Sequence, residues 1–372
     1  MEEIENNKEI EKEDRGDENI TKPFDPSKID VDIQVVNLGL LIDMLKEGEI
    51  DLNPDFQRSS DLWSPIQKSR LIESILLGLP LPSFYFSEDK ETKKLSVIDG
   101  LQRLCTLKDF ILKENFPLKL EGLQFLKQFD NKTYRELERP EIKRINSLKV
   151  VLNTLRKDTP ANVKYVIFQR VNTAGIPLTP QEMRHALNQG RPAEFVKELA
   201  EMEEFLLATD RKISTKRMED RDFVNRFLAF FLLGYDENYE GELDGFMQTA
   251  MSSLSEKDEK ELQEIKTTFG KSMRTIYNIF DNDAFRKRYN KDDSRNVLSK
   301  SIFDTLSVNI AKLSDEEQKS LIQHKEAFIN EMIKLFNNSE FNKAITTGTA
   351  KRNAVKCRFE EVKKIIYKTI RE

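Results

Sequence analysis

At Asp99-Gly100 the apolar period of the chain changes from that of a strand to that of a helix. Leu95-Ser96-Val97-Ile98 has strand composition, whereas Leu101, Leu104, Leu107 and Ile111 recur at the spacing of one helical face. Asp-Gly between the two is a turn signal. A strand that passes through a tight turn straight into a helix calls for a sheet with helices packed on it. It also points the first N–H groups of the helix back over the turn, with Arg103 one turn inside, an arrangement suited to a phosphate group. A second reading stands beside this one. Asp99 and Gln102 have the spacing of a capping box, which would make them a helix start and Arg103 a solvated charge.

The flanking sequence supplies the remaining elements of a small α+β domain. Val31, Ile33 and Val35 alternate as in a first strand, and Asn37 then caps a helix bearing Leu38, Leu41, Ile42 and Leu45. Ser64, Pro65 and Gln67 give cap, first-position proline and box partner for a helix with Ile66, Leu71, Ile72, Ile75 and Leu76 on one stripe. Phe84-Tyr85-Phe86 pairs with the strand before Asp99, and the β-branched run 148–152 completes the sheet. Thr159-Pro160 opens a further helix that ends in the polar turn 170–175, and Thr179-Pro180-Gln181-Glu182 is another proline-bearing box. Beyond Arg191 the pattern is helical throughout, with segments expected at 193–208, 219–234, 242–253, 256–281, 296–312, 315–337 and 351–370, the sixth capped by Ser314 and Glu317. A helical bundle is the economical architecture for them.

Composition narrows the function classes. With 13 glycines in 372 residues and many Lys, Glu, Leu and Phe, a β-sandwich is disfavoured. The net charge of −5 gives no global attraction to nucleic acid, so contact with DNA needs a local basic patch. Cys105 and Cys357 stand far apart, which suggests reduced thiols and a cytoplasmic protein, with Cys105 in the core. No signal peptide is read at the start, and the longest strongly apolar run, 227–233, is too short for a membrane span. Residues 1–22 carry too little apolar surface to order themselves and read as an acidic disordered tail. Gly270-Lys271-Ser272 looks like the end of a phosphate-binding loop, but Ile265 stands where its first glycine belongs, so a helix is expected there. The polar segment 346–352, followed by Lys356 and Arg358, suits either phosphate contact or a plain interhelical loop. Arg211, Lys212, Lys216, Arg217 and Arg221 form a second basic cluster, read as a solvated face.

Four motifs in fixed order then carry a family resemblance. They are Asn53-Pro54-Asp55-Phe56-Gln57-Arg58, the run from Leu71 to Pro82, Ile98-Asp99-Gly100-Leu101-Gln102-Arg103, and Phe168-Gln169-Arg170-Val171-Asn172-Thr173-Ala174-Gly175. Over about residues 30–235 the chain resembles the ParB/sulfiredoxin-like family of domains of unknown function that forms the N-terminal part of GmrSD-type restriction enzymes. Leu101 departs from the family's usual Asp-Gly-Gln-Gln-Arg, and it also serves the apolar stripe. The resemblance implies a ParB-like nucleotide-binding domain at 23–190, a helical domain at 191–372, and a bacterial anti-phage or DNA-restriction role built on binding and hydrolysing a nucleoside triphosphate. Sulfiredoxin-like chemistry is not expected, because Leu101 takes the place of that relative's cysteine.

On this reading Arg103 and the Gly100 backbone hold phosphate, and Arg58 adds a second positive contact that stabilises charge on the transferred phosphoryl group. Asp99 positions water or magnesium, Gln57 and Gln102 orient phosphate or the attacking water, and Arg170, Asn172 and Thr173 meet the nucleotide. Magnesium is expected from phosphate chemistry in general. DNA and a separate nuclease subunit are the expected macromolecular partners. With only His185 and His324, far apart, no histidine-metal nuclease site assembles from local spacing. The alternatives are a nucleotide-gated switch that does not hydrolyse, a metal-dependent DNA nickase, and an inactive scaffold.

Overall fold

The computed structural model describes residues 9–16, 30–52, 63–88, 93–156, 159, 163–164, 167, 170, 178–236, 238–293 and 295–371. It divides into two compact units, 24–178 and a second made of 1–23 with 179–372. The expected α+β class holds: a mixed five-stranded sheet with helices, then a mainly helical region.

In the first unit the strands are β1 (Val31–Asn37), β2 (Ile50–Asp51), β3 (Phe84–Glu88), β4 (Leu95–Asp99) and β5 (Lys149–Leu155), in the order β1-β5-β3-β4-β2. β1–β5 and β3–β4 are antiparallel, whereas β5–β3 and β4–β2 are parallel. The helices are α1 (Leu38–Lys46), α2 (Pro65–Leu76), α3 (Leu101–Leu107) and α4 (Arg139–Ser147). The α2 start matches its sequence signature: Gln67 N–H donates to Ser64 Oγ at 3.3 Å and Ser64 N–H to Gln67 Oε1 at 2.8 Å. The core gathers Leu38, Leu41, Ile72, Ile75, Phe84, Phe86, Leu104, Leu107, Phe110 and Leu152. Between Tyr85↔Asp99 and Phe86↔Val97 the β3–β4 register shifts, so Ile98 is an extra residue just before the turn. A bulge of this kind bends the strand and re-aims the side chain beside it.

One buried carboxylate ties α2 to the loop that follows α3. Glu73, 3% exposed, accepts the backbone N–H groups of Gln124, Phe125 and Leu126 at 3.0, 2.7 and 2.9 Å. Burial alone would raise its carboxyl; the three N–H donors outweigh that and hold it below its ordinary value of 4.5. A depressed acid stabilises the fold above its unfolded pKa and loses that contribution as pH falls through the folded one. Glu73→Ala is therefore expected to cost about 2–3 kcal/mol at neutral pH. Urea melts of wild type and variant should converge as the pH is lowered below 4.5.

The second unit holds α5 (Pro180–Leu187), α6 (Arg191–Ala200), α7 (Glu203–Ala208), α8 (Glu219–Leu233), α9 (Leu243–Ser253), α10 (Glu259–Phe280), α11 (Lys300–Ala311), α12 (Asp315–Gln323), α13 (Lys325–Phe336), α14 (Ser339–Thr346) and α15 (Arg352–Arg371). The boxes at Thr179/Glu182 and Ser314/Glu317 form as their spacing requires. Its core is rich in phenylalanine, with Phe223–Phe303 and Phe230–Phe359 centroids each 5.0 Å apart and Phe227–Phe269 at 4.8 Å. α8 and α11 lie deepest, and every residue from Ser301 to Ala311 is buried.

Several expectations are revised here. The segment expected as one helix at 193–208 breaks where Met202 turns extended, and that at 315–337 breaks at His324, whose φ of −98° and ψ of 25° leave the helix. α14, unexpected from the pattern, starts at Asn338, whose Oδ1 accepts from the N–H groups of Glu340 and Phe341. α5, placed by sequence in the first domain, belongs to the helical unit. Within the acidic tail, residues 9–16 are ordered: Glu11 N–H donates to Leu298 O, Leu298 N–H to Glu9 O, and Thr349 N–H to Asp14 O, each at 2.8 Å. In the basic cluster Arg211, Lys212 and Lys216 are exposed as expected, whereas Arg217 turns inward to pair with buried Glu182 at 2.7 Å.

Candidate functional site

The β4–α3 turn forms as the change of period requires. Gly100 has φ of +102° and stands at the helix start, where as a glycine it brings no capping side chain of its own. The helix then continues from Leu107 into a wider π-helical turn over Lys108–Leu112. Glycine is needed at position 100 twice over. Its φ is one that L side chains rarely adopt, and a Cβ there would lie 2.5 Å from Phe84 Cδ1 and 3.2 Å from Arg103 Nη2.

Asp99 and Gln102 do not form the capping box. The Asp99 carboxylate turns instead to Arg103, whose Nη2 donates to Asp99 Oδ2 at 2.9 Å. The same guanidinium donates to the carbonyls of Pro82 and Ser83, the latter at 3.1 Å, and lies 4.5 Å from the centroid of the Phe84 ring. Arg103 is 8% exposed. It is thus neither a solvated charge nor an open phosphate contact; it braces the start of β3 against the turn. Burial pushes both partners toward their neutral forms, the Asp99 carboxyl up and the Arg103 guanidinium down, while their mutual attraction and the Gly100 N–H oppose it. The pairing of a buried arginine with its acceptors and an aromatic face gives the turn a rigid base.

Around this turn the structure brings together Asp99, Gly100, Gln102 and Arg103. Arg170 is exposed in a helical segment of the same unit. Gln57, Arg58, Asn172 and Thr173 lie outside the described residues. Among the described residues no three His, Cys, Asp or Glu side chains cluster to hold a metal ion, and the one carboxylate at the turn is engaged by Arg103. Sequence reasoning missed that Pro82, Ser83 and Phe84 complete the site. Its signal was present in the Leu79-Pro80-Leu81-Pro82 run, where prolines hold the chain extended with free carbonyls. Cys105 is buried, as read. His185, 2% exposed, meets Arg221 at 3.3 Å.

Compared with family models, residues 41–188 match "GmrSD restriction endonuclease, N-terminal domain". Residues 41–188 are thus similar to the GmrSD N-terminal domain. The matched stretch contains β2 to β5, the braced turn and α5, so in sequence it runs on into the first helix of the helical unit. No curated protein and no solved structure matches the chain. Among the described residues no helix is long and apolar enough to cross a membrane.

Proposed function

We propose that this chain is the nucleotide-responsive component of a restriction system, and that its GmrSD domain binds and hydrolyses a nucleoside triphosphate at the β4–α3 turn. The match of residues 41–188 to the GmrSD N-terminal domain carries the restriction role. The turn supports the nucleotide: a left-handed glycine with no capping side chain of its own starts α3 beside a rigid arginine brace. On this reading the backbone of Gly100 and Leu101 meets phosphate, which displaces the Asp99 carboxylate from the Gly100 N–H, Gln102 orients it, and Arg103 acts as a positioning residue rather than as the contact itself. Arg58, Gln57, Arg170, Asn172 and Thr173 remain the nucleotide-side contacts that the family resemblance implies. Magnesium would accompany the triphosphate as its counter-ion. DNA and a separate nuclease subunit are the partners such a role calls for.

A second reading, binding without turnover, has one observation in its favour. Asp99, the carboxylate nearest the turn, is held by Arg103 and so is not poised as a general base. The test measures binding and phosphate release together, across ribo- and deoxyribonucleoside triphosphates with magnesium, for wild type, Gln102→Ala and Arg103→Lys. Binding weakened about tenfold or more in folded variants is expected, equivalent to losing one or two hydrogen bonds. Turnover supports hydrolysis, and binding alone supports the switch. A folded wild type that binds none of the panel overturns both.

A further inference from the structure

Segment 9–16 crosses the helical unit beside the buried arginines Arg184, Arg226 and Arg358. Glu13 sends its carboxylate into that cluster. Its Oε1 accepts from Arg226 Nη2 at 2.8 Å and Thr349 Oγ1 at 3.0 Å, and its Oε2 accepts from Arg226 Nη1 and Arg15 Nε, both at 3.0 Å. Thr349 also gives its backbone N–H to Asp14 O at 2.8 Å. Burial by itself would raise the Glu13 carboxyl, yet the charges of Arg226, Arg15 and Lys300 hold it far below the usual carboxylate range. Thr349 sits in the polar loop 347–351 between α14 and α15, the segment whose composition suits phosphate contact. The backbones meet there without side chains, since a Cβ on Gly16 would lie 3.3 Å from Gly348 Cα.

We propose that Arg226, Thr349 and Lys300 form a binding site for a phosphate group, and that Glu13 fills it in this structure as a built-in carboxylate. The surroundings are donor-rich in the way a phosphate requires: a guanidinium fork, a hydroxyl, a backbone N–H and a nearby ammonium. When segment 9–16 leaves, Arg15 departs with Glu13, and the Arg226 fork, now bonded to Glu13, is what the departing carboxylate would leave behind.

The segment is also built to leave. Ile10 is its one apolar side chain, only partly buried, and no residue of 9–16 belongs to the buried core of the unit. What holds it is polar: the backbone bonds to Leu298 and Thr349, and ion pairs from Glu13, Arg15 and Glu11, the last with Lys287. A phosphate that binds the vacated site therefore competes with Glu13 by mass action. Because the site lies wholly in the helical unit, it stands independently of the nucleotide reading of the β4–α3 turn.

The experiment titrates inorganic phosphate, adenosine triphosphate and a short DNA duplex against the full chain as wild type, Glu13→Ala, Glu13→Gln and Glu13→Ala with Thr349→Ala. Both Glu13 variants should bind at least one probe about tenfold more tightly than wild type, and the added Thr349→Ala should reverse much of the gain. Which probes gain tells a free phosphate from a nucleotide or a nucleic-acid backbone. In parallel, saturating inorganic phosphate on wild type should speed hydrogen exchange at the Glu11 and Leu298 amides, whose bonds join the segment to the rest of the unit away from the phosphate donors. Folded Glu13 variants with no gain for any probe overturn the proposal. If the variants do not fold, unchanged exchange in wild type overturns it instead.

Discussion

Asp304→Ala should unfold the helical unit at far lower urea than wild type, with a loss of about 4 kcal/mol or more. Asp304 is 0% exposed and accepts from Arg226 Nε and Nη2, each at 2.8 Å, and from Arg358 Nη2 at 3.1 Å. Both arginines are themselves 0% exposed. Removing the carboxylate takes from the buried Arg358 its ion-pair partner and leaves Arg226 to Glu13 alone. The cost is that of an uncompensated buried charge, not that of a lost surface ion pair, which is worth about 0–1 kcal/mol. Lys271→Ala supplies the comparison: its pair with Asp315, at 2.7 Å, is exposed, and its loss should move the urea midpoint little. Equal shifts for the two variants would show that the buried cluster contributes no more than a surface pair.

Gly100→Ala is expected to destabilise the first unit by about 3 kcal/mol, the sum of a left-handed backbone penalty of about 1–3 kcal/mol and a collision. The new Cβ would stand 2.5 Å from Phe84, whose ring is buried and supports Arg103, so the ring cannot yield without loosening the brace. The effect should therefore spread from the turn to β3. Hydrogen exchange at the β3–β4 pairs should rise in the variant more than at the β1–β5 pairs, and nucleotide binding at the turn should go with it. Gly78→Ala is a fitting control, because Gly78 also has positive φ, +76°, but a Cβ there meets nothing within 4 Å. It should cost only the backbone penalty, about 1–2 kcal/mol.

Much of the first unit and most helices of the second were legible from the chain because their causes are local. Ser64, Thr179 and Ser314 each meet a partner three residues on, so cap and box appear in the sequence as they do in space. The turn at Asp99-Gly100 was legible for the same reason. The role of Arg103 was not, since a charged residue one turn into a helix reads alike whether it faces solvent, a ligand or a neighbouring strand. Its carbonyl acceptors lie about twenty positions earlier, at Pro82 and Ser83. The acidic tail misled for a related reason. Its composition offers too little apolar surface to fold by itself, and that judgement omits the buried arginines waiting on another part of the chain.

The sequence by itself determined the period of each element, where most begin and end, and the α+β division into a sheet-bearing unit and a helical one, since hydrophobic spacing and caps act between residues a few positions apart. The tertiary structure alone decided the partners of the buried charges. Arg226 meets Asp304 across 78 positions and Glu13 across 213. No pattern along the chain encodes such pairings, because a buried charge is stable only where packing delivers its counter-charge within hydrogen-bond reach.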